Sequence, residues 1–122
     1  MRPTQKELFK KIREARSAVV EGRIAILQQE AFAINALELG YLVESELHEV
    51  LAQLPDETTP AHYVGGRPPR RSYEQEIKDL ELFAFEVESK RFQCRIYLKL
   101  ALANNILWLV SLHESRSTRR EA

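Results

Sequence analysis

From Phe92 to Leu102 apolar and polar side chains alternate, and this period of two constrains the fold more than any other feature of the chain. Phe92, Cys94, Ile96, Leu98, Leu100 and Leu102 fall on one face. Gln93, Arg95, Tyr97, Lys99 and Ala101 fall on the other. An α-helix would scatter these residues around its axis, so the segment reads as a strand with one buried side. Its neighbours follow the same rule. Phe83, Phe85 and Val87 alternate with Leu82, Ala84 and Glu86, and a third strand runs from Ile106 to His113 after Asn104-Asn105.

Register decides what shares a face, because a slip of one residue turns every side chain over. A strict two-residue turn at Asn104-Asn105 sets Ile96 opposite His113 and Leu98 opposite Ser111, which mixes apolar with polar. A three-residue loop, Ala103-Asn104-Asn105, instead pairs Leu102 with Ile106, Leu100 with Trp108, Leu98 with Val110 and Ile96 with Leu112. Asparagine tolerates the left-handed conformation such a loop needs, so this register is expected, with Tyr97 opposite Ser111 and Arg95 opposite His113. For the first hairpin a four-residue loop, Glu88 to Arg91, pairs Val87 with Phe92, Phe85 with Cys94 and Phe83 with Ile96, and sets Glu86 beside Gln93. One sheet face is then continuously apolar, with Cys94 in the core.

The first half of the chain has a helical period. Thr4-Gln5-Lys6-Glu7 matches a capping box, and Leu8, Ile12, Ala15 and Val19 recur at helical spacing. Gly22 marks a stop or bend. A second helix is expected from about Leu27 to Leu39, closed by Gly40. A third is expected from about Glu44 to Gln53, ended by Pro55. The expected organisation is a single α+β domain over residues 1–122. Helices span about 4–54, a Pro/Gly/Arg-rich loop 55–78, an antiparallel sheet of three or four strands about 80–113, and a basic tail 114–122. Long loops in small domains are often functional.

No apolar run approaches the roughly 20 residues that cross a membrane, and the N-terminus leads into an amphipathic pattern rather than a signal peptide. The single cysteine, Cys94, cannot form an internal disulfide. A cytoplasmic protein without membrane contact is expected. Net charge is zero, yet residues 1–61 carry seven Lys/Arg against ten Asp/Glu, and residues 62–122 carry eleven against eight. This asymmetry suits a polyanion on the C-terminal side.

The polar sheet face gathers Glu86, Gln93, Arg95, Tyr97, Lys99, Ser111 and His113. Such a set can cleave RNA through the substrate's own 2′-hydroxyl, which requires a base, an acid and cations for the pentavalent phosphorane, but no metal or cofactor. Glu86 or His113 can act as base or acid. Arg95 and Lys99 can hold the phosphate, and Tyr97 offers a ring for stacking and a hydroxyl for hydrogen bonding. Lys90, Arg91 and Arg116 extend the basic track, and with Gln93, Ser111 and His62 they are the expected RNA contacts. The plainer alternative is a solvated sheet face, or a non-catalytic module that binds RNA or protein through it, since exposed strands alternate polar residues without any function.

The chain resembles the MqsR-type mRNA interferases, RelE-like toxins of bacterial type II toxin–antitoxin systems. The resemblance covers roughly residues 10–114. It rests on Glu21-Gly22-Arg23-Ile24, Leu37-Glu38-Leu39-Gly40, Leu54-Pro55, the strand Ile96-Tyr97-Leu98-Lys99-Leu100, and Leu109-Val110-Ser111. It implies a compact endoribonuclease that cleaves mRNA, free or on the ribosome, and is neutralised by a cognate antitoxin protein. Tyr97 matches the family's active-site tyrosine. His113 falls where the family carries a catalytic lysine, and Phe85 where it carries a glutamine, with Glu86 next. A loop lysine of the family has no counterpart, and His62-Tyr63 occupy its vicinity. The loop 55–78 is longer than the resemblance implies.

Overall fold

The computed structural model describes residues 2–115. Among them are three α-helices and a four-stranded sheet, in the order α1 (Gln5–Val20), β1 (Ile24–Ile26), α2 (Gln29–Leu39), α3 (Val43–Glu57), β2 (Phe83–Ser89), β3 (Cys94–Ala103) and β4 (Ile106–Glu114). The strand order is β1-β4-β3-β2. The expected α+β architecture is present, but the sheet is mixed, because β1 runs parallel to β4 while the other pairs are antiparallel. The Ile24–Ile26 strand was not expected; three apolar residues are too few to display a period, and its pairing is entirely non-local.

The helices begin and end for local reasons. Thr4 caps α1, its hydroxyl accepting the Glu7 amide at 3.0 Å. The Glu7 carboxylate pairs with the Arg2 guanidinium, and that contact lowers the carboxyl's pKa. Gly40 follows α2 with φ 92°, the left-handed conformation in which a side chain is unfavourable. The third helix does not stop at Pro55 but continues to Glu57. A proline removes one amide donor, and here that loss falls in the last turn, where Thr58 adds a side-chain bond to the Leu54 carbonyl at 2.7 Å.

One core joins the helices to the sheet's inner face. Leu8, Ile12, Val19, Phe32, Val50, Leu51 and Leu54 pack with Phe83, Phe85, Val87, Ile96, Leu98, Leu100, Leu107, Leu109 and Leu112. Cys94 packs against this core partly buried, and burial pushes its thiol up. No helix among the described residues is long and apolar enough to cross a membrane.

Tyr41 is 2% exposed, with its ring 5.6 Å from that of Phe92. Its hydroxyl has no hydrogen-bond partner among the described residues, and burial pushes the phenol up to about 12 from an ordinary value of 10.0. The unfolded chain therefore ionises first. This contribution to stability is fully present below the ordinary value and is lost as pH rises from there through about 12. Tyr41→Phe is expected to flatten that alkaline limb and to raise neutral stability by about 1 kcal/mol, since it deletes a buried unpaired hydroxyl. Urea midpoints at neutral and alkaline pH check this; a variant weaker than wild type at neutrality, with the same alkaline loss, refutes it.

Candidate functional site

Both hairpin registers differ from expectation, and the differences build the site. Asn104 and Asn105 both have positive φ, 54° and 63°, which is the geometry of a two-residue hairpin turn. The ladder therefore starts with Ala103 opposite Ile106, Leu102 opposite Leu107 and Leu100 opposite Leu109. A β-bulge then resolves the clash of faces that a strict two-residue turn entails. Leu100 faces Leu109 but Lys99 faces Ser111, so Val110 is the extra residue. Beyond it Leu98 pairs with Leu112 and Tyr97 with His113. Inward-pointing leucines are thus kept on both sides of the bulge.

The first hairpin slips by four residues from the expected pairing, an even number that preserves faces. Ser89 pairs with Cys94, Val87 with Ile96, Phe85 with Leu98, and Glu86 with Tyr97. Gln93 lies in the turn with φ 56°, not beside Glu86.

The outer face consequently carries Glu86, Tyr97 and His113 as one row across β2, β3 and β4. Ala84, Lys99 and Ser111 form the next row. The Tyr97 and His113 rings stack, with centroids 5.2 Å apart and planes 22° from parallel. One face of the Tyr97 ring thus meets imidazole, which favours its hydroxyl over base stacking as its contribution. Burial, then the neighbouring Glu86 carboxylate, raises the Tyr97 phenol, so it stays protonated and can donate. His113 Nδ1 lies 2.9 Å from the Glu114 carbonyl. A carbonyl only accepts, so the neutral ring carries its proton on Nδ1 and its lone pair on Nε2. Glu86 accepts a 2.6 Å hydrogen bond from the Ser115 hydroxyl.

Arg95 is on the same face but opposite Glu88, to which it donates at 3.2 Å, and not opposite His113. The remaining expected RNA contacts are dispersed. Arg91 bends back to α3 and pairs with Glu46 at 3.1 Å and Glu49 at 3.3 Å. The neighbouring Lys90 is exposed, and its amide donates to the Glu57 carboxylate. The turn therefore leans toward the helical layer. His62 belongs to a 3₁₀ turn (Pro60–His62), where its Nδ1 accepts the Thr59 amide at 3.0 Å; it is a cap. Arg116 lies outside the described residues.

The loop 55–78 supplies what residue types alone did not reveal. Tyr63 bridges to Phe85 and the Val64 amide donates to the Ala84 carbonyl at 2.9 Å, so the loop adds two residues to the β2 edge. Alternation places Tyr63 on the core side, where its ring meets Phe85 edge-on at 5.7 Å. Val64 then belongs to the outer side. From there Val64, Gly65, Gly66 and Arg70 form one wall of a groove of about 370 Å³, whose other lining is Leu82, Ala84, Tyr97 and Lys99.

Farther along, Ile77 is 1% exposed yet belongs to no part of the main core, as are Ala84 and Ala101 of the outer face, at 4% and 0%. Gln28, just after β1, bonds Glu74 at 3.4 Å. That bond ties the excursion 72–79 to the β1 side of the sheet. Trp108 is a further residue that the sequence misplaced. The wrong turn length put it in the core, whereas it pairs with Ala101 on the outer face. No protein-family model and no curated protein matches the chain.

Proposed function

We propose that the protein is an endoribonuclease of the toxin–antitoxin kind, with a RelE-like fold, cleaving single-stranded mRNA without a metal. The observation that carries this reading is the alignment of Glu86, Tyr97 and His113 in one row beside Lys99, at the mouth of an open groove. His113 Nε2 takes the proton of the 2′-hydroxyl. The 2′-oxygen attacks phosphorus, and the bond to the 5′-oxygen breaks. The Tyr97 hydroxyl, held neutral, gives the leaving oxygen its proton. Lys99 stabilises the charge that builds on the phosphorane oxygens. Glu86 balances the imidazolium. The products are a 2′,3′-cyclic phosphate and a 5′-hydroxyl. Arg95, already paired with Glu88, is a secondary phosphate contact.

Purified protein incubated with a labelled oligoribonucleotide and excess chelator is expected to yield cyclic-phosphate fragments. A 2′-O-methyl substrate is expected to survive. Salt-sensitive binding without cleavage points instead to the non-catalytic module. Cleavage of the 2′-O-methyl substrate would sink the mechanism. The antitoxin belongs to the same proposal; its test is relief of growth arrest by a co-expressed neighbouring reading frame.

A further inference from the structure

The groove beside the Tyr97–His113 row has a shape and a charge that the chemistry at the row does not require. Its floor is apolar, made of Leu82 and the 4%-exposed Ala84, and its rims carry Lys99 on one side and Arg70 on the other. Six cations among the described residues, Arg2, Lys11, Arg16, Arg23, Arg91 and Arg95, are engaged by carboxylates. Among the described residues no carboxylate pairs with Arg70 or Lys99, and both line the same groove.

The wall is also fixed in advance. Tyr63, 6% exposed, anchors it on Phe85 and donates its hydroxyl to the Gly66 carbonyl. Arg67 lies over the Tyr63 ring at 5.0 Å and donates to the Pro3 carbonyl at 3.2 Å. The glycines permit the tight wrap. A Cβ on Gly65 would sit 2.7 Å from the Tyr63 hydroxyl oxygen, and one on Gly66 would sit 2.9 Å from the Pro68 carbonyl oxygen and 3.1 Å from Arg70 Cγ. Gly66 thus lets the Arg70 stem lie against the loop backbone. A wall held this way loses little freedom when a ligand enters.

We infer that this groove is a binding site for one unpaired nucleotide, its base against Leu82 and Ala84 and its phosphate between Arg70 and Lys99. The site rests on the nuclease reading and deepens it, since this nucleotide adjoins the one whose 2′-hydroxyl is activated at Tyr97 and His113. Its volume of about 370 Å³ accommodates a single splayed base. The wall along the β2 edge also keeps a duplex from lying flat on the sheet. Substrate choice is thereby restricted to single strands, which proteins commonly read by splaying bases out.

The test uses the full chain and a fluorescent 2′-O-methyl oligoribonucleotide, single-stranded or annealed to its complement, with binding followed by anisotropy. Wild type is expected to bind the single strand and to bind the duplex far more weakly. Arg70→Ala, an exposed side chain whose loss spares the backbone bond to Leu82, is expected to weaken binding roughly tenfold and to flatten the salt dependence by about 0.7. Ala84→Leu, filling the floor, is expected to weaken binding as well. Circular dichroism confirms that each variant is folded. Unchanged affinity in Arg70→Ala, or equal binding of duplex, overturns the groove. If those results accompany cleavage that is lost in His113→Ala, the nuclease reading survives without it. A wild type that binds no single strand overturns the groove as well, and the cleavage assay then judges the nuclease reading by itself.

Discussion

His113→Ala is expected to lower RNA cleavage by about 10²–10⁴-fold while leaving RNA affinity and secondary structure in place. The ring is the proposed base, with Nε2 carrying the lone pair because Nδ1 is directed at the Glu114 carbonyl. Its stack on Tyr97 is a surface feature of the sheet, so truncation costs only about 0.5–1.5 kcal/mol of stability. Tyr97→Phe separates the two roles of that pair. It keeps a ring for His113 to stack on, at the 5.2 Å spacing of the native pair, and deletes only the hydroxyl. Cleavage is expected to fall here too. His113→Lys tests the resemblance, because the family carries lysine at this position. Partial activity with a more alkaline pH profile is the expected result, since an amine gives up its proton at higher pH than imidazole. Single-turnover rates on one labelled oligonucleotide decide the matter. Full activity in both His113→Ala and Tyr97→Phe would remove the row from the chemistry.

Phe85→Ala should destabilise the fold by about 3–5 kcal/mol, a large share of the roughly 5–15 kcal/mol of a typical domain. Phe85 is 1% exposed and pairs with Leu98 midway along β2. Its loss also takes away the ring against which Tyr63 packs edge-on. The wall of the groove should therefore loosen before the whole molecule unfolds. Urea denaturation gives the first quantity. Limited proteolysis after Arg70 or Arg71, expected to accelerate in the variant under conditions where it remains folded, gives the second. A loss below about 1 kcal/mol would mean that the Phe85 pocket collapses around the cavity, contrary to the close packing of this core.

The resemblance to the MqsR-type toxins placed Phe85 where that family carries a glutamine. The structure buries it on the face opposite Tyr97 and His113, and Glu86 takes the outward position beside Tyr97 instead. Alternation along β2 makes the two roles exclusive: a residue in the core cannot reach the outer surface without turning its neighbours over.

Local pattern carried a great deal of this protein. The period of two from Phe83 to Leu102 identified the inner face, and Phe83, Phe85, Val87, Ile96, Leu98 and Leu100 are all buried there. The capping threonine and the terminal glycine of α2 were legible because those features are satisfied within a few residues. The even slip of the first hairpin did no harm to the assignment of faces, since parity survives it. Tyr97, Lys99, Ser111, His113 and Glu86 were therefore assembled on one side from alternation alone.

Which of them touch was decided elsewhere. Turn length and bulge position trade against each other: a three-residue loop and a two-residue turn with one extra residue at Val110 both keep Leu98 and Leu112 or their neighbours inward, but they pair Tyr97 with different partners. Only the packing of Leu107 and Leu109 under the helices selects between them. The same holds for β1, whose three residues have no period and exist as a strand because β4 offers them an edge. It holds for Arg70 and the Gly65–Gly66 wall, which reach the sheet because Tyr63 is buried on Phe85. Alternation is a property of the chain, and it set the two faces. Register, edge pairing and the groove depend on contacts between residues far apart in sequence, whose energies exist only once the core has closed.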